Sequence, residues 1–206
     1  DVAPSRGLGD VYKRQVLNSA DFDEKQLEDK ISSIAQVDKS MLMQSTDGIA
    51  ENESENQSVS MIVPKTPENM GDYIDLVSAE NGSNLEVKSG SVIITQKLAK
   101  LLDLKTGDTI TVKLSGHEEE EFKIGGVSKN YALHYIYITP DDFESVYGEK
   151  PVYNLSFIDL KKDTDENSFK EQLISNDEFY GISFKNDSSR GFLNSVDSLD
   201  AIVILL

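Results

Sequence analysis

Two histidines, a few paired aspartates and no cysteine are all that this 206-residue sequence offers to chemistry. His117 ends a Ser-Gly-His turn and precedes four glutamates at 118–121. It does not open an HExxH zinc site, because position 121 is Glu. His134 begins the run HYIYIT, and no partner for it follows from spacing. Both imidazoles are read as structural or solvated. Asp141 and Asp142 follow Pro140 and read as an acidic first helical turn, not a metal pair. Asp163, Thr164, Asp165, Glu166 and Asn167 begin like a calcium loop. The sixth position is Ser168 instead of Gly and the twelfth is Ile174 instead of Glu, so a helix cap explains them better. The absence of cysteine removes disulfides, thiolate metal sites and a Cys nucleophile together. No GxSxG, SxxK or P-loop occurs, and no GxGxxG follows a strand. Dispersed carboxylates still leave room for an acid–base pair. The expectation is a non-enzyme with no catalytic, cofactor-binding or metal residue and no cofactor.

The charge balance excludes a further class. Twenty basic against 37 acidic residues give a net charge of −17, which repels phosphate backbones, so no nucleic-acid partner is expected. Lys161 and Lys162 are flanked by Asp159 and Asp163 and form no basic patch. Asn-x-Ser sequons at Asn52, Asn56, Asn81, Asn154 and Asn186 are read as a product of composition, and Asn154 falls inside an expected strand. Tyr131, Tyr135, Tyr137 and Tyr147 fit a contact surface and core packing equally well; strand alternation would leave one side of HYIYIT exposed.

The elements around these residues follow from periodicity. Residues 1–15 carry Arg, Lys, Gly and Pro without a pattern. They resemble sequencing-adapter read-through or an ordinary flexible terminus, and are set aside from the fold. Asp21 or Asp23 can cap a helix over about 23–35, with Leu27, Ile31 and Ile34 on one face. Residues 37–46 read as a strand, 47–58 as an acidic solvated loop, and 59–63 as a short strand ended by Pro64. Pro67 starts a helix over about 67–78, with Met70, Ile74 and Val77 inward. Next come a strand at 91–95, a helix at 96–102 and a turn at 105–108 in which Gly107 supplies a positive φ. Residues 109–114 alternate strictly; 118–127 return as a strand whose Gly125 and Gly126 suggest a bulge. Strands at 134–139, 152–160 and 179–185 and helices from Pro140 and over 166–175 complete the pattern. Phe192, Val196, Leu199, Val203 and Leu206 form one stripe of a final helix over 190–206. Its end, AIVILL, is uniformly apolar and reads as the start of a membrane helix.

Three stretches carry a family resemblance: VIITQKLAKLLDLKTGDTITV at 92–112, EFKIGGVSKN at 121–130 and YIYITPDDFESVYG at 135–148. Their order and spacing resemble the extracytoplasmic domain of FtsX-like (MacB-type) ABC transporter permeases. DSLDAIVILL at 197–206 is similar to that family's approach to its second membrane helix. The resemblance implies a domain outside the cytoplasmic membrane, held between two membrane helices. It implies a cytoplasmic ABC ATPase as partner, the membrane at the C-terminal end, and an external protein, peptide or lipoprotein as cargo. Its action would be mechanotransmission without chemistry of its own.

The expected fold class is α+β. Split ferredoxin-like β-α-β halves carry an inserted, small, strand-rich, barrel-like subdomain and end in a helix that enters the membrane. The expected divisions are a leader over 1–15, the first half of a porter-like domain over 16–66, the insertion over 67–150, the second half over 151–188, and a stalk helix over 189–206. The rival reading is a soluble β-barrel binding module without membrane attachment. A polar continuation after Leu206 would favour it.

Overall fold

The computed structural model describes residues 14–18, 24–52, 55–129, 134–165, 168–169, 171 and 179–184. The expected α+β class holds: among the described residues nine strands form one continuous sheet, with three α-helices against it.

The first unit is a four-stranded sheet. Its strands are β1 (Arg14–Asn18), β2 (Val37–Glu51), β8 (Leu155–Leu160) and β9 (Phe179–Phe184). They lie in the order β9-β1-β8-β2, each antiparallel to its neighbour. β1 and β2 therefore run parallel, and α1 (Glu24–Ser33) makes the crossover between them. β1 begins at Arg14, inside the stretch set aside as a leader. α1 buries Leu27 and Ile31, one turn apart, and Ile34 follows just past its end. They pack on Leu42, Ile158 and Leu160, with Phe169 beside them. Each such side chain contributes about 1.5–3 kcal/mol when removed from water. Lys65 fixes the docking by pairing with Glu24 and, at 2.7 Å, with Glu28.

The second unit is a barrel. Its further strands are β3 (Asn56–Pro64), β4 (Val92–Thr95), β5 (Thr109–Leu114), β6 (Glu119–Ser128) and β7 (Tyr135–Tyr137). The pairings run β2-β3-β7-β4-β6-β5 and close again on β2. Closure removes the exposed edges that an open sheet of this size would carry. Ile110, Val112 and Leu114 point inward from β5, as strict alternation predicts. Met61, Ile94, Phe122 and Ile136 fill the same interior. Leu98 and Leu102 pack against it from α2 (Gln96–Leu101) and its end, and Phe143 does so from α3 (Pro140–Tyr147). A third apolar cluster lies between the units, with Met43, Tyr73, Ile74, Tyr137 and Phe157 at its centre.

Three further expectations change. The solvated loop over 47–58 is instead the far arms of β2 and β3, paired residue by residue from Met43↔Pro64 to Glu51↔Asn56. Ala50 is fully buried there while Ile49 faces out. The barrel's strands thus begin before residue 67. The helix over 67–78 is only a 3₁₀ turn, Pro67–Asp72. Gly71 and Asp72 are poor helix formers, and Ile74 and Leu76 are buried from irregular backbone. HYIYIT has no exposed side: Tyr135 and Tyr137 enter the cluster between the units, while Ile136 and Ile138 enter the barrel. The helix over 190–206 lies outside the described residues, as does most of that over 166–175. No helix among the described residues is long and apolar enough to cross a membrane.

Candidate functional site

The chemistry-bearing side chains are scattered over the barrel, and each is held by local architecture. In the turn at 105–108, Gly107 has φ 94°, the conformation its position demands. The Asp108 carboxylate accepts from the Lys105 N–H at 3.0 Å, and Gly107 N–H donates to Ile124 O at 2.8 Å. The Asp108 carboxylate is thus committed to the turn between α2 and β5.

His117 lies in the turn between β5 and β6. Its ring lies 4.8 Å from the Tyr147 ring and its Nε2 is 3.4 Å from Glu149 Oε1. The Tyr147 hydroxyl is buried without a hydrogen-bond partner. Burial, and then the nearby Glu120 charge, push its phenol far above the ordinary tyrosine range. A phenol held neutral in this way is neither a base nor a nucleophile near pH 7. This group is a packed cap, with the exposed glutamates 118, 119 and 121 beside it.

His134 joins β3 to β7. Its Nδ1 lies 3.0 Å from Ser58 O, and its carbonyl accepts from Ser60 N–H at 3.0 Å. Because a carbonyl can only accept, Nδ1 carries the proton. Nε2 is buried without a hydrogen-bond partner. Asp142 belongs to a helix start, as expected: Thr139 Oγ1 accepts from its N–H at 3.2 Å. Its carboxylate accepts from Ser89 Oγ at 2.7 Å and Gly90 N–H at 2.8 Å. Asp165 Oδ2 accepts from Ser168 N–H at 3.2 Å, which is the cap inferred in place of a calcium loop. Among the described residues no three His, Asp or Glu side chains come together as a metal site. Tyr131 lies outside the described residues.

Sequence reasoning treated Asn154 only as a sequon. Both atoms of its amide bond to the Ser45 backbone, at 2.7 and 2.8 Å. The Asn154 amide thus ties the chain entering β8 to the strand that the barrel and the sheet share.

No protein-family model matches the chain. No curated protein sequence matches it either. Among solved structures, the periplasmic region of MacB from Actinobacillus actinomycetemcomitans superposes with a TM-score of 0.52 at 14% identity, covering 92% of this chain and 97% of that one. The chain has the fold of a MacB-like external domain. The extracellular domain of the ABC-type transporter YknZ from Gram-positive bacteria agrees, with a TM-score of 0.50 at 16% identity and coverage of 91% and 95%. In both matches the MacB-like fold accounts for nearly all of each chain, so the barrel and the sheet are matched together.

Proposed function

We propose that this chain is the extracytoplasmic domain of an ABC transporter permease subunit of the FtsX-like, MacB type. It has no catalysis of its own. It passes conformational change from a cytoplasmic ATPase to an external protein, peptide or lipoprotein. The observation that carries this reading is the shared fold over more than nine-tenths of both chains in two external domains of such transporters. On this reading the order β9-β1-β8-β2 is a split ferredoxin-like sheet. Residues 16–66 and 151–188 supply its halves, with 67–150 inserted and the far ends of β2 and β3 lent to the barrel. Residues 189–206 continue as a stalk into the membrane. The domain faces away from the cytoplasm, and a device that moves as a body can transmit force without an active site.

A free-standing barrel module fits less well, because β2 belongs to both units and the cluster around Phe157 and Tyr137 lies between them.

The test uses the gene in its own membrane context. The reading frame should continue past Leu206 to complete about 20 apolar residues. A cysteine placed at exposed Lys97 is the only one in this domain. It should react with a membrane-impermeant maleimide in intact cells whose outer barrier, if present, has been opened. A polar continuation after Leu206, or labelling only after lysis, sinks the proposal.

A further inference from the structure

The sheet and the barrel are joined by two limbs of chain. β2 runs out of the sheet into the barrel as one 15-residue strand. Residues 148–154 return from α3 to β8. On its β3 edge β2 is paired without interruption through the junction. On the opposite edge its partner changes: pairing with β8 stops at Met43↔Leu155 and pairing with β5 starts at Gly48↔Leu114.

Ser45 lies in that gap, and the Asn154 side chain fills it. Asn154 Oδ1 accepts from Ser45 N–H at 2.7 Å and Nδ2 donates to Ser45 O at 2.8 Å. The amide thus offers the donor and acceptor that a neighbouring strand's peptide would offer. The Asn154 N–H adds a bond to Met43 O at 3.0 Å. Beside it, Gln44 Oε1 accepts from Val152 N–H at 2.7 Å, and Gln44 Nε2 donates to Thr46 Oγ1 at 2.6 Å. From the barrel side, Ser115 N–H donates to Asp47 O at 3.0 Å. The return limb is therefore stapled to the outgoing limb at the level where one unit gives way to the other.

The apolar cluster between the units resists their separation but has no direction of its own. It includes Met41, Met43 and Met70, side chains that adapt readily to a changed fit. Hydrogen bonds of fixed geometry are what can set an angle.

We propose that the Asn154 and Gln44 amides form a clamp that locks sheet and barrel into one body, and that without it the barrel swings about β2. This concerns the folded chain itself and does not rest on the permease reading.

The chain has no cysteine, so two can be introduced cleanly at exposed Asp29 on α1 and Lys97 on α2. Spin labels there report the distance distribution between the units in the whole chain. The unaltered clamp should give a single narrow distribution. Asn154→Ala should broaden it, and Ser45 amide exchange should accelerate about tenfold or more. Asn154→Asp sets a carboxylate oxygen against Ser45 O and should act likewise. Gln44→Ala removes one bond to the return limb, together with the Gln44–Thr46 bond within β2, and should broaden the distribution less; it also serves if the Asn154 variants do not fold. Ile158→Val, in the core beneath α1, should cost stability and leave the distribution narrow. Narrow distributions in both Asn154→Ala and Gln44→Ala would overturn the clamp. So would equal broadening in Ile158→Val, which would make the effect one of stability alone.

Discussion

At Gly125 the backbone leaves no room for a methyl group. A Cβ there would sit 2.3 Å from Ser91 Oγ and 2.9 Å from Ser91 Cβ. The cause is the slip in register between β4 and β6, where Val92 faces Ile124 and Ile93 faces Gly126, leaving Gly125 as the extra residue of a bulge. Gly125→Ala should lower stability by about 1–3 kcal/mol, read from the urea midpoint. In a Ser91→Gly background most of that loss should vanish, because both contacting atoms belong to that side chain; an equal loss in both backgrounds would refute the steric account. Tyr73 makes a second prediction at this scale. Burial, then the Asp72, Asp159 and Asp38 carboxylates, push its phenol up to about 12. The folded state therefore holds this proton more tightly than the unfolded chain, whose tyrosines titrate at about 10. The stabilisation is complete below the unfolded value and is lost as pH rises from there towards about 12. The urea midpoint should fall between pH ~10 and ~12, and Tyr73→Phe should flatten that fall.

Helix α3 shows how far an element can be read from its own residues. Thr139 caps it, Pro140 opens it, and Gly148 ends it at φ 73°. Thr139→Ala should cost about 1 kcal/mol in thermal or urea unfolding, while Thr139→Ser should restore most of it. A loss unrelieved by Ser would place the effect in packing of the methyl group. α3, β5 and the turn at 105–108 were legible because their signals are local: a capping hydroxyl, strict alternation, a glycine at a positive φ. The far arms of β2 and β3 were not. Glu51 and Asn56 read as solvated chain, and what makes them strand is pairing with each other and, for Glu51, with Thr111 of β5, 60 residues away in sequence. The helix expected from Pro67 fails for a related reason: Met70 and Ile74 keep helical spacing but find their burial against the outside of the barrel. The amide of Asn154 was invisible because its partner, Ser45, is 109 residues away. Asp108, Asp142 and Asp165 sit in the turn and at the helix starts that their neighbours in sequence announce, again because those signals are local.

For the molecule as a whole, the cluster between sheet and barrel makes the two units one thermodynamic object. Phe157 sits there at 3% exposure, with its ring 6.4 Å from that of Tyr73. Phe157→Ala should cost about 3–5 kcal/mol, and probes in α1 and in the barrel should lose their signals at one shared midpoint. Two separated transitions would show that the units unfold independently. The shared strand β2 also has a consequence in time. As the chain emerges from the N-terminus, β2 and β3 can pair at once, and the barrel can close when β7 appears. The sheet must wait for β8, whose Ser156 bonds to Met41, 115 positions earlier in the chain. Closing so long a loop is entropically cheaper once the span between is already compact. Strand order thus leads us to expect the barrel to form first and to template the sheet, so that the order of synthesis becomes the order of assembly.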